Sequence, residues 1–205
     1  MNLNWIFKMN KKFVILILCL FTTLNVLLAQ KTKAVIYFKN GDTITGLGKI
    51  TGNYVKYRKN RKEKSSKLHF SKLERVKIYY TDEITNYVYL KVENQATPKV
   101  FEEVTVGDIS LYRIVSQSYN SGFGAMGGTG FSGGYSYTIK NFYLKRVEQD
   151  FVIHLGSNQL FTKNFKKAAS EFFKDCPKLV KLIQNRELKK RGLIEIVEFY
   201  NHQCN

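Results

Sequence analysis

Proline is almost missing from the 205 residues: there are two, with one tryptophan, three cysteines and three histidines. A chain this poor in proline, in which 14% of residues are aromatic, is no long disordered polymer. Acidic residues are scarce as well, 16 against 33 lysines and arginines, for a formal net charge of +17. That imbalance draws anionic partners and says nothing about a fold. Catalytic spellings are also lacking. There is no serine elbow and no His-Glu-x-x-His helix, and His69 and His154 stand in strand-like alternation. Glu102 and Glu103 are adjacent, so in a strand they face opposite ways and cannot act as an acid–base pair. The residues point to a non-enzymatic protein with no cofactor and no metal, although catalytic groups can meet only in space.

Long apolar runs are scarce too, and the one present organises the rest. Lys11 and Lys12 precede roughly 16 apolar-rich residues from Phe13 to Leu28, and the composition turns polar at Ala29-Gln30. This is the layout of a secretory leader, assigned to 1–29, with Met9-Asn-Lys-Lys12 reading as the true start. Leu27 departs from the pattern, because a smaller side chain is usual so close to the cut. The same run also reads as an uncleaved anchor, a marginal one because Thr22, Thr23 and Asn25 interrupt it near the short limit for a span. Cys19 is no lipidation site, since Leu18 stands where a small residue is needed. The expected location is outside the inner membrane: periplasm, outer-membrane-associated or extracellular. Removing Lys8, Lys11 and Lys12 with the leader leaves about 176 residues and a charge of about +14.

The fold class expected of that body is α+β: an antiparallel β-rich region followed by a tail of about three short helices. Residues 30–82 form a first β module. Ala34–Phe38 and Thr43–Gly46 flank Asn40-Gly41-Asp42, a strong hairpin signal because both central positions accept positive φ. Gly46 and Gly48 read as bends or bulges. Tyr54–Tyr57, Lys67–Phe70 and Val76–Tyr80 add three short strands. Over roughly residues 33–80 this order resembles small SH3-like or Sm-like barrels. The resemblance implies a shape; Sm-like proteins bind RNA, but no RNA-binding signature follows here, and nucleic acid is not the expected partner.

Between the third and fourth of these strands run Lys56, Arg58, Lys59, Arg61, Lys62, Lys64 and Lys67, relieved only by Glu63. Like charges at that density repel, so the stretch is a solvated hairpin loop. Its functional reading is a docking loop for an anionic surface, flanked by Tyr54 and Tyr57.

Residues 83–160 form a second β-rich module. Val88, Leu90 and Val92 share one face of a strand, Phe101–Val106 and Ile109–Ile114 read as a hairpin, and strands follow near Tyr137–Lys145 and Phe151–Leu155. The loop 121–134 holds seven glycines, and Gly122-Phe-Gly-Ala-Met-Gly127 matches a dinucleotide-binding spelling. The match is rejected because no helix follows it to face a pyrophosphate. The stretch reads as a connector, with Phe123, Met126 and Phe131 as anchors if it orders on binding.

The tail, 161–205, changes to helical spacing: Phe165, Ala168, Ala169, Phe172 and Phe173, then Leu179, Leu182 and Ile183, then Leu193, Ile196, Val197 and Tyr200. Such stripes dock on a sheet face; free amphipathic helices are the alternative. Asp175 reads as an N-cap ahead of Cys176-Pro177. Antiparallel helices bring Cys176 and Cys204 together, and an exported chain meets an oxidant, so a disulfide is expected. The competing metal site, Cys176, His202 and Cys204, has an unusual spacing and no fourth ligand.

Leu28-Ala29-Gln30, Asn40-Gly41-Asp42, Val106–Tyr112, Phe173-Lys174-Asp175-Cys176-Pro177 and Ile194–Asn201 together resemble the uncharacterised exported proteins common in Bacteroidota. The resemblance implies an envelope location and supplies no substrate. The function expected is an exported binding module docking an anionic lipid, lipopolysaccharide or glycan. The alternatives are an assembly partner of another envelope protein and a hydrolase of an envelope polymer.

Overall fold

The computed structural model of the protein describes residues 32–120, 135–157, 164–188 and 192–204. Residues 1–31, where the leader is expected and Cys19 stands, and the glycine-rich stretch 121–134 with Phe123, Met126 and Phe131 lie outside them. The class is α+β, ten strands and three short helices. The strands are β1 (Thr32–Phe38), β2 (Thr43–Thr51), β3 (Tyr54–Arg58), β4 (Ser66–His69), β5 (Leu73–Tyr79), β6 (Ile84–Val92), β7 (Lys99–Thr105), β8 (Ile109–Asn120), β9 (Tyr135–Arg146) and β10 (Phe151–Ser157). A 3₁₀ turn, Phe70–Lys72, joins β4 to β5, and the helices are α1 (Asn164–Phe172), α2 (Pro177–Gln184) and α3 (Leu193–Gln203).

All ten strands share one sheet, ordered β10-β9-β8-β7-β6-β5-β1-β2-β3-β4. In a flat sheet β4 and β6 would lie on the order of 24 Å apart, five strand spacings. Instead the His69 ring at the end of β4 meets Tyr89 of β6 with centroids 5.7 Å apart. The first five strands therefore curl back on β6, which is the barrel-like shape read from the sequence. Inside the curl lie Ala34, Ile36, Val55, Phe70, Leu73, Val76, Ile78 and Tyr87.

The second half was expected as separate hairpins, and it is more ordered than that. β10 pairs antiparallel with β9 and also parallel with β6, through Phe151↔Lys91 and Val152↔Val92. Strands β6 to β10 thus close into a ring, which covers the free edge of β10. Val88, Val92, Phe101, Tyr112, Tyr143 and Val152, from all five strands, fill it. Strict alternation makes β6 a wall common to both cores: Tyr87 and Tyr89 face the first, Val88, Leu90 and Val92 the second. Closure needs a parallel joint between strands some 60 residues apart, which no local pattern announces.

Two local readings are corrected. At Asn40-Gly41 only Gly41 takes positive φ (90°), and Phe38 N–H donates to Asp42 O at 2.9 Å, the three-residue form of hairpin. Gly48 is no bulge against β3, since the register of β2 with β3 is regular from Leu47↔Arg58 to Thr51↔Tyr54. The smallness of Gly46 and Gly48 serves close approach. A Cβ on Gly46 would lie 2.6 Å from the Tyr57 ring, and one on Gly48 would lie 2.7 Å from the Ala34 methyl. Gly48→Ala, usually a gain in a strand, is therefore expected to lower stability by about 1–3 kcal/mol in urea unfolding.

The helices cover the outer face of the ring. Ala169, Phe173, Leu179, Ile183, Ile196 and Val197 pack on Ile109, Leu111, Leu144 and Leu155. Register explains the division of labour: Leu111↔Leu144 faces the helices while the next pair, Tyr112↔Tyr143, faces the ring interior. Three devices fix the tail. The Asn201 amide accepts from Ile109 N–H and donates to Ile109 O, both at 2.9 Å. Cys176 and Cys204 form a disulfide, Cα atoms 5.6 Å apart, which takes both sulfurs. The third is centred on Arg146, whose guanidinium donates to both Asp175 carboxylate oxygens, to the Phe172 carbonyl and to the Tyr200 hydroxyl. Asp175 is thus no helix cap, contrary to its sequence reading. Cys176 occupies that position with no side-chain bond, and Pro177 follows in the first turn.

Candidate anion-docking hairpin

The basic stretch folds as the β3–β4 hairpin, with register Tyr54↔His69, Val55↔Leu68, Lys56↔Lys67 and Tyr57↔Ser66. Alternation sorts its residues. Val55, Tyr57 and Leu68 turn to the first core, whereas Tyr54, Lys56 and Arg58 share the other face with Lys67 and His69. Lys56 and Lys67 stand directly opposite each other, an arrangement that costs stability in a β ladder. Lys59, Arg61, Lys62 and Lys64 extend the exposed charge through the turn. Among the described residues, Lys56, Lys59, Lys62, Lys64 and Lys67 have no carboxylate partner.

The turn is held by groups that leave those ammonium ions alone. Asn60 donates its amide to Glu63 at 2.7 Å and accepts from Lys62 N–H at 3.0 Å, so the one carboxylate in the stretch is engaged by an amide. Arg58 donates to the Arg61 carbonyl at 3.2 Å, and its Nε is shielded with no hydrogen-bond partner among the described residues. Tyr57 departs from its expected role. Its ring packs on the core and its hydroxyl donates to Thr45 O at 3.0 Å, so it is scaffold and not a surface aromatic. Tyr54 does sit at the surface, 44% exposed, edge-on to His69 at 4.9 Å. His69 itself was missed from sequence. Its Nδ1 accepts from Ser71 N–H at 3.1 Å, capping the 3₁₀ turn and leaving Nε2 as the protonated nitrogen. Only the register across a seven-residue turn reveals that it joins Tyr54.

The arginines elsewhere in the sheet behave differently. Arg113 pairs closely with Glu102 between neighbouring strands, and Tyr87 donates to the same carboxylate at 3.2 Å. Arg75 and Asn86 hold Glu103 on the opposite face, at 3.3 and 3.2 Å. Each glutamate is thus engaged by an arginine, and the two carboxylates are kept apart. Burial first, then the Tyr80 hydrogen bond and the charge of Glu102, push the Tyr87 phenol far above its ordinary range. Burial likewise raises Tyr112 and Tyr143 inside the ring.

No described helix is long and apolar enough to cross a membrane. Compared with models of protein families, with curated proteins and with solved structures, the chain finds no match.

Proposed function

We propose that this chain is an exported, non-enzymatic module that docks phosphate-bearing envelope components, anionic lipid or lipopolysaccharide, through the β3–β4 hairpin. The observation that carries the reading is the facing pair Lys56↔Lys67 in a hairpin whose other lysines also lack carboxylates among the described residues. Arginines elsewhere in the sheet are matched to Glu102 and Glu103, whereas the hairpin gathers seven cations between Lys56 and Lys67 with Glu63 as the one carboxylate among them. A bound anion relieves the repulsion between the facing lysines, which makes docking and local stability the same event. Acidic glycan offers the same charge without a bilayer.

Vesicle co-sedimentation tests this. Binding to phosphatidylglycerol vesicles is expected to fade with salt, and Lys59→Gln with Lys62→Gln is expected to weaken it by roughly thirtyfold, at about 1 kcal/mol per lysine. Both lysines are exposed, so the variant keeps its thermal midpoint. Binding that survives both salt and substitution overturns the reading. Lipopolysaccharide in place of the vesicles separates the two lipid sources.

The assembly alternative draws on a different feature. Beyond Arg113, β8 has β9 as its strand partner, and the two run on as a long ribbon with Val115 at its exposed surface. Salt-insensitive co-purification with one envelope protein would favour it. The hydrolase reading gains nothing from Glu102 and Glu103, which are arginine-bound on opposite faces.

A further inference from the structure

The tail carries a second concentration of positive charge, built differently from the hairpin. Helices α1 and α2 flank a cleft of about 720 Å³, within the range of small-ligand sites. Lys166 and Lys167 line it from α1, Lys174 from the connection and Lys181 from α2. One wall is Lys167 and Ser170 of α1 with Lys174 just beyond its end, and the other is Pro177, Lys181 and Gln184 of α2. Where two packed helices face each other the seam is usually apolar. The buried seam is apolar here too, through Ala169, Phe173, Leu179 and Ile183, but the open cleft beside it is lined by cations.

Two further details distinguish this cleft from an ordinary solvated face. Its one carboxylate, Glu171, is taken by Lys174 at 3.0 Å, so three ammonium groups face the cleft without a carboxylate among the described residues. The Ser170 hydroxyl, also in the lining, is shielded from solvent and has no hydrogen-bond partner among the described residues. Rotation of the Ser170 side chain into the cleft gives that hydroxyl a partner when an oxyanion lies among the lysines. The position of the second wall is also fixed, since α2 starts at the disulfide-bonded Cys176.

We infer that the α1–α2 cleft is a binding site for a ligand bearing two or more phosphoryl groups, held by Lys166, Lys167 and Lys181 with Ser170 donating to a phosphoryl oxygen. Several separated ammonium groups suit several phosphoryl groups better than one, and lysine acts on phosphate as a point charge without demanding a planar partner. Val180 gives the cleft an apolar strip against which a carbon skeleton between the phosphates can lie. The site is independent of the hairpin: it uses other residues, and the loss of either leaves the other standing.

Calorimetric titration of the intact, oxidised protein with sodium tripolyphosphate tests it. Salt-dependent binding is expected. Lys166→Gln with Lys181→Gln is expected to weaken it at least tenfold, and Ser170→Ala several-fold, whereas Lys59→Gln with Lys62→Gln in the hairpin leaves it unchanged. The serine substitution keeps all charge, so an effect there marks a built site and not a general attraction. Absence of binding, equal binding by all variants, or loss only in the hairpin variant overturns the inference. A cardiolipin-vesicle arm identifies the source. Cleft-dependent vesicle binding assigns a lipid headgroup, and cleft-dependent tripolyphosphate binding alone assigns a soluble phosphate compound. Unchanged thermal midpoints of the lysine variants show that the helices stay docked.

Discussion

Replacing Cys176 and Cys204 together by serine is expected to lower the unfolding free energy by roughly 3.5 kcal/mol, measured by urea unfolding of the oxidised protein and the variant. The bond joins residues 28 apart in sequence, and closing a loop of that size removes much of the freedom of the unfolded tail. Its position adds a local consequence. Cys176 stands where a helix cap would stand but makes no side-chain hydrogen bond, so the start of α2 is held by the covalent link and by Pro177. Cys204 closes α3, with its N–H donating to Tyr200 O at 3.0 Å. Without the link, α2 and α3 are expected to lose hydrogen-exchange protection before the sheet does, because Leu179 and Ile183 depend on the tail staying docked. Equal urea midpoints for variant and oxidised protein would show that the staple adds nothing to the packing. Alkylation that adds mass only after reduction gives the independent check that the bond forms.

Local signals carried the strands and helices, and two long-range facts escaped them. The hairpin at Asn40-Gly41, the alternation of Val88, Leu90 and Val92, and the three helical stripes each depend on neighbours a few residues away. The disulfide was also legible, because helix direction places its two ends together. By contrast, the ring of β6 to β10 depends on Val152 meeting Val92, and alternation along either strand looks the same whether or not they meet. Tyr57 was misplaced for a local reason. Period two puts it with Val55, but its flanking cations pulled the reading toward the surface. Charge density marked the hairpin, which is what made the candidate site visible at all. The cleft between α1 and α2 went unseen because Lys167 and Lys174 read as the wet side of a helix until α2 brings Lys181 across from them. The spacing of seven from Lys167 to Lys174 was there to be noticed.

Arg146→Met is expected to cost about 2–3 kcal/mol, more than its partial exposure suggests. The arginine sits at the end of β9 and donates four hydrogen bonds at 2.7–2.9 Å, to the last turn of α1, to the α1–α2 connection and to α3. Its guanidinium also lies over the Phe172 and Tyr200 rings, at 5.1 and 5.4 Å. A methionine can replace the ring contacts, but the Phe172 carbonyl loses its donor and the Asp175 carboxylate its cation. Arg146→Lys keeps the charge without the fork and is expected to recover less than half of the loss. Acid provides a separate handle on the same clamp. Partial burial opposes ionisation of Asp175, yet the bonds from Arg146 and Tyr200 outweigh it and hold the carboxyl below the ordinary carboxylate range. A lowered folded-state value means the clamp contributes fully above about pH 4, where the unfolded chain has also ionised. The contribution then shrinks as pH falls toward and through the folded value. Asp175→Asn is therefore expected to lower stability at pH 6 and to flatten the loss between pH 4 and pH 2. Combined with Arg146→Met, it is expected to cost clearly less than the sum of the two single changes, by about 1–3 kcal/mol, since either change alone breaks the same contact. Strict additivity at pH 6, or an unchanged acid profile in Asp175→Asn, would mean that packing holds the tail and Arg146 merely covers it.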